Sequence, residues 1–75
     1  MKYKIGDKVT IVGNSTFHKF ELGKKVEIIE IDEKDEQYKC IGLDKFKEMD
    51  YWWVSEEDIA PLDYIWKDFL KAGDN

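Results

Sequence analysis

Seventy-five residues with a formal charge of −5, 43% hydrophobic and 39% charged side chains, exclude a disordered chain and leave room for one domain only. A chain this short buries about 60–65% of its unfolded surface, and three Trp, four Tyr and four Phe supply the large contact areas so small a core needs. The lone Cys40 excludes an internal disulfide and fits a reducing compartment. No stretch reaches the roughly 20 apolar residues of a membrane span, and the first residues lack the apolar core of a signal peptide, so a cytoplasmic location without membrane contact is expected.

The charge is uneven. Residues 1–31 hold six Lys against four acids, a net +2, and residues 32–75 hold six Lys against thirteen acids, a net −7. Arg, the side chain that grips phosphate bidentately and stacks on bases, is absent. Without a basic footprint, direct nucleic-acid binding is not expected.

In chain order, Gly6-Asp7 forms a turn into an alternating strand, with Val9 and Ile11 on one face and Lys8 and Thr10 on the other. Gly13-Asn14-Ser15 closes that strand with turn residues. Residues 16–23 read as a loop, although they carry Phe17, Phe20 and the only histidine, His18. Lys24–Asp32 is the longest strand candidate. Its apolar phase slips by one between Ile28 and Ile29, which predicts a bulge, a sharp bend or cover on both faces. Glu33-Lys34-Asp35-Glu36 is a polar turn into the strand Gln37–Leu43, where Tyr38 and Cys40 share a face. Asp44–Asp50 is a charged connection to the aromatic strand Tyr51–Val54. Ser55-Glu56-Glu57-Asp58 has the pattern of a capped single helical turn, and Ile59-Ala60 before Pro61 is a last short strand. Val9, Ile11, Val26, Ile28, Tyr38, Val54 and Ile59 are the expected core.

Asp63 is placed as the N-cap of a short helix over about residues 64–72, with Ile65, Trp66, Phe69 and Leu70 on one stripe and Gly73 to end it. Nine residues do not hold a helix alone in water. It is expected to pack on residues 1–62 or on a second copy of the chain, within a single domain.

Five short strands, a long first loop and one helical turn before the last strand resemble the SH3-like small barrels. The residues that carry the likeness are Gly6-Asp7-Lys8-Val9, Leu22-Gly23-Lys24-Lys25-Val26, Tyr38 and Tyr51 to Ile59. Across residues 5–62 the chain is similar to short SH3-like proteins of bacteriophages of low-GC bacteria. The resemblance implies a mostly β, five-stranded barrel with a 3-10 turn before the last strand, to which the C-terminal helix is an addition. It also implies residence in a host cytoplasm. Proline-rich recognition is not carried over, because the first strand lacks the Ala-Leu-Tyr-Asp-Tyr pattern of the peptide-binding members.

The residues offer no catalytic set. Cys40 and His18 are single members of their kinds, too few for a zinc site. Cys40 reads as a packed core thiol. Asp32, Glu33, Asp35 and Glu36 lack the spacing of a calcium loop, and there is no Gly-rich phosphate loop. No metal, cofactor or enzymatic activity is expected. Trp52 and Trp53, adjacent on a strand, point to opposite faces: one enters the core, and the other is either covered by the C-terminal helix or exposed to a partner. The expected function is binding of a host or phage protein through Phe17, His18, Phe20, Tyr51, Trp52 and Trp53. A second reading is a counter-defence inhibitor whose acidic face, Asp32, Glu33, Asp35, Glu36, Glu56, Glu57 and Asp58, imitates nucleic acid. A third is a small-ligand or nucleotide-binding barrel formed in an oligomer.

Overall fold

The computed structural model of the chain describes residues 2–62. They form five strands, β1 (Lys8–Ile11), β2 (Lys25–Asp32), β3 (Gln37–Leu43), β4 (Met49–Ser55) and β5 (Ile59–Pro61), with one 3-10 turn, Glu56–Asp58, before the last. All pairings are antiparallel, and the sheet runs β4-β3-β2-β1-β5. The expected C-terminal helix lies outside the described residues.

The expected closed barrel is an open sheet. Its edges, β4 and β5, are joined through the 3-10 turn but are not hydrogen-bonded to each other. The chemistry of β5 explains this: it is three residues long, its pairing is spent on β1, and it ends on Pro61, which has no N–H to donate.

The predicted phase slip is a bulge. Ile28 pairs with Cys40 but Glu30 pairs with Lys39, so Ile29 is the extra residue. β4 begins earlier than expected, because Leu43 and Gly42 pair with Met49 and Asp50. The connection therefore shrinks to residues 44–48. Asp44 organises it by accepting the backbone N–H groups of Phe46 at 2.8 Å and Glu48 at 3.0 Å. The Glu48 and Phe46 N–H groups hold the Asp44 carboxyl below its usual range, against the opposing effect of its burial.

All seven expected core residues are buried, and Cys40, Phe20 and Tyr3 join them. Tyr3, from before the first strand, sets its ring edge-on to Tyr38 at 5.6 Å, and its backbone N–H donates to the Tyr38 hydroxyl at 3.2 Å. That hydroxyl donates in turn to Glu56. The chain ahead of β1 is thus closed over the core by a hydrogen-bonded relay.

Gly42 is buried on β3, and a Cβ there would stand 2.7 Å from Cγ1 of Val26. Gly42→Ala should destabilise the domain by about 2 kcal/mol through overpacking, read as a lower urea midpoint at unchanged slope. Val26→Asp, at a 3% exposed position, should abolish the cooperative transition, because an unpaired buried carboxylate costs as much as the ~5 kcal/mol expected of the whole fold.

Candidate functional site: a fixed aromatic loop on an edge strand

The loop between β1 and β2 is held at both ends by backbone bonds and in its middle by side chains. The N–H groups of Val12 and Gly13 both donate to the Asp58 carbonyl, at 2.7 and 3.2 Å. The Asp58 carboxylate is 1% exposed and accepts the Ser15 N–H at 2.9 Å, the Ser15 hydroxyl at 2.9 Å and the Ser55 N–H at 3.2 Å. Asn14 brackets His18, accepting its N–H at 2.7 Å and donating to its carbonyl at 3.1 Å. The Thr16 hydroxyl donates to the Trp53 carbonyl at 2.8 Å.

This lattice decides the fate of each predicted contact residue. His18 is 4% and Phe20 3% exposed, so neither belongs to a contact surface. Nδ1 of His18 accepts the Phe20 N–H, which leaves Nε2 to donate to the Gly13 carbonyl at 2.6 Å. Both ring nitrogens are spent on backbone, and neither is free to hold a ligand or move a proton. Phe17, just ahead of them, is the opposite: 86% exposed at φ +59°, a left-handed conformation that is a genuine outlier for a bulky side chain.

On β4, Trp52 pairs with Cys40 and packs against the core, and Trp53 pairs with Lys39 on the outer face. Tyr51, exposed, stands outward with Trp53. Lys39, Tyr51, Trp52 and Trp53 line an open groove of about 380 Å³. The Lys39 ammonium lies 4.5 Å from the centre of the Tyr51 ring, and is also paired with Glu30 at 3.4 Å. Lys19 stands over Trp52 in the same way.

The predicted acidic face divides into three parts. Asp58 is buried. Asp32 turns inward on its own loop, accepting the N–H groups of Lys34 and Asp35, with Glu33 exposed beside it. Asp35, Glu36, Glu56 and Glu57 converge with Lys2 and Ser55 around a wide cleft of about 760 Å³. Among the described residues no group of three His, Cys, Asp or Glu is placed to hold a metal ion, and no helix is long and apolar enough to cross a membrane.

Sequence reasoning missed Asn14 and Ser15, which it read only as turn formers, and Thr16, which it read only as the start of the loop. Their short polar side chains are the ones that bond to nearby backbone, and a run of three ahead of an exposed aromatic was the available signal. No family model, curated protein or solved structure matches the chain.

Asp58→Ala should cost about 3 kcal/mol, since it strands three donors around a buried position, and should loosen the loop, read as faster amide exchange at Ser15 and His18. Burial pushes the Cys40 thiol up from 9.0 to about 12. Stability held by the neutral thiol is therefore complete below pH 9 and lost as pH rises through about 12. Burial also raises the hydroxyls of Tyr3 and Tyr38, so Cys40→Ala should flatten the alkaline fall in urea midpoint without abolishing it.

Proposed function

We propose that the chain is a small, non-enzymatic SH3-like binding module that engages a protein partner through Phe17, Tyr51 and Trp53. The observation that carries this reading is Phe17. A left-handed non-glycine residue costs on the order of 1–2 kcal/mol, and the ring recovers none of it, because it makes almost no contact within the domain. An exposed aromatic side chain carried on a backbone already fixed by the loop's hydrogen bonds spares the backbone part of the ordering cost on binding, which favours an interface anchor. Tyr51 and Trp53 extend the surface along β4, to which the loop is tied through Thr16. The strand order, the long first loop and the 3-10 turn support the SH3-like assignment.

The convergence of Asp35, Glu36, Glu56 and Glu57 on one cleft favours a second reading, in which this face imitates a nucleic acid for a basic partner. The two readings respond differently to salt and to substitution. An anionic mimic loses affinity steeply as salt screens its charges, whereas an aromatic anchor responds weakly.

Phe17→Gly separates folding from binding. It should raise stability by up to about 1 kcal/mol, since glycine adopts positive φ without strain, and weaken the partner complex by about 2 kcal/mol. Both are measured on one preparation, by urea denaturation and by calorimetry with the partner captured from the host. Unchanged affinity in Phe17→Gly, with a large loss in the Glu56→Lys/Glu57→Lys variant, would replace the anchor by the mimic.

A further inference from the structure

A second apolar groove, of about 510 Å³, crosses the sheet between Lys8 of β1, Glu27 of β2, Ile41 and Gly42 of β3, Met49 of β4 and Leu62. Lys8, Glu27 and Ile41 form one cross-strand row on the face away from the core. Met49 is 67% and Leu62 41% exposed, a considerable apolar area for so small a domain. Leu62 is also the last described residue, so the chain leaves the described body from the wall of this groove. Within eight residues of Leu62 the sequence supplies Ile65, Trp66, Phe69 and Leu70 at helical spacing.

We propose that residues 63–75 are the occupant of this groove, seating Ile65, Trp66, Phe69 and Leu70 against Ile41, Met49 and Leu62 of the same chain. The attachment decides between this occupant and a second copy. A segment on a short tether is present at an effective concentration on the order of millimolar, which a separate molecule at cellular abundance does not match. Charge does not oppose the assignment: Lys8 and Lys25 against Glu27 leave the groove lining at a net +1, and Asp63, Asp68 and Asp74 against Lys67 and Lys71 leave the segment at a net −1. The seated segment leaves the Phe17 loop uncovered and borders Tyr51, the cross-strand partner of Ile41. It thereby sets the limit of the surface that a partner can reach.

The test is a disulfide in the full chain between Met49→Cys and Phe69→Cys, formed at low protein concentration, with product mass separating intrachain from interchain bonds. Cys40 does not interfere, being 0% exposed. The expected product has monomer mass, and adding Ile65→Asp should slow its formation about 10-fold, since a loose tether offers the same effective concentration with or without the stripe. A rate indifferent to Ile65→Asp overturns the seating, and a product of dimer mass assigns the groove to a second copy. A parallel measurement needs no favourable disulfide geometry. Ile41→Glu should shift the emission of Trp66 (read as the difference from the Trp66→Phe chain) to longer wavelength. Absence of both the disulfide and the shift overturns the proposal.

Discussion

The Asp58 carboxylate lies 1% exposed between Ser15 and Ser55, two parts of the chain forty residues apart, and accepts hydrogen bonds from both. Burying a carboxylate costs several kcal/mol unless its oxygens are satisfied, so its position is tolerable only while Ser15 and Ser55 are both in place. That condition couples local structure to tertiary structure. On one side Asp58 secures the start of the 3-10 turn through the Ser55 N–H; on the other it fixes the loop after β1. Its own carbonyl takes the Val12 and Gly13 N–H groups. The turn therefore sets β5 beside β1 and anchors the loop with the same residue.

An open sheet exposes two edges, each a template for unwanted pairing. Here β5 is short and ends on proline. β4 is long and aromatic, and three of its outward backbone groups are occupied by side chains. The Tyr51 N–H donates to Asp50, the Trp53 carbonyl accepts from Thr16, and the Ser55 N–H donates to Asp58. Two of these three partners belong to the lattice that holds the aromatic loop. Two of the bonds that hinder strand addition at β4 are thus also bonds that position the loop beside it.

Periodicity made most of the fold legible. Alternation in Val9-Thr10-Ile11 and Tyr38-Lys39-Cys40 identified inward faces, and the slip at Ile28-Ile29 marked where the strand departs from regular pairing while leaving a bulge, a bend or two-sided cover open, which the register with β3 resolves as a bulge. Barrel closure was not legible, since it depends on which strand edges meet. The start of β4 was hidden because Met49 and Asp50 continue a charged run, and their strand conformation is imposed by pairing with β3. The site was legible in composition and illegible in direction. A loop has no period, so nothing in Phe17-His18-Lys19-Phe20 distinguishes the ring that faces solvent from those that face in. The distinction comes from Asn14 bracketing His18, a contact of side chain with backbone that pattern reading does not see.

The strain at Phe17 and the burial of its neighbours have one physical cause. His18 and Phe20 are drawn inward by the Gly13 carbonyl and by the core, and Thr16 is held outward on the Trp53 carbonyl. The backbone must reverse its facing between Thr16 and His18, and a positive φ at residue 17 accomplishes this. A free loop would relieve a cost on the order of 1–2 kcal/mol by turning that residue back to negative φ. It would then either bury the ring or let it move. The residues around it forbid both, because relaxation would break the Asn14–His18, Ser15–Asp58 and Thr16–Trp53 bonds together, each worth on the order of 1 kcal/mol. Their sum exceeds the strain, so the exposed ring persists as a consequence of the same contacts that make the fold. The backbone of an exposed residue is in this way fixed by the contacts that order the rest of the loop.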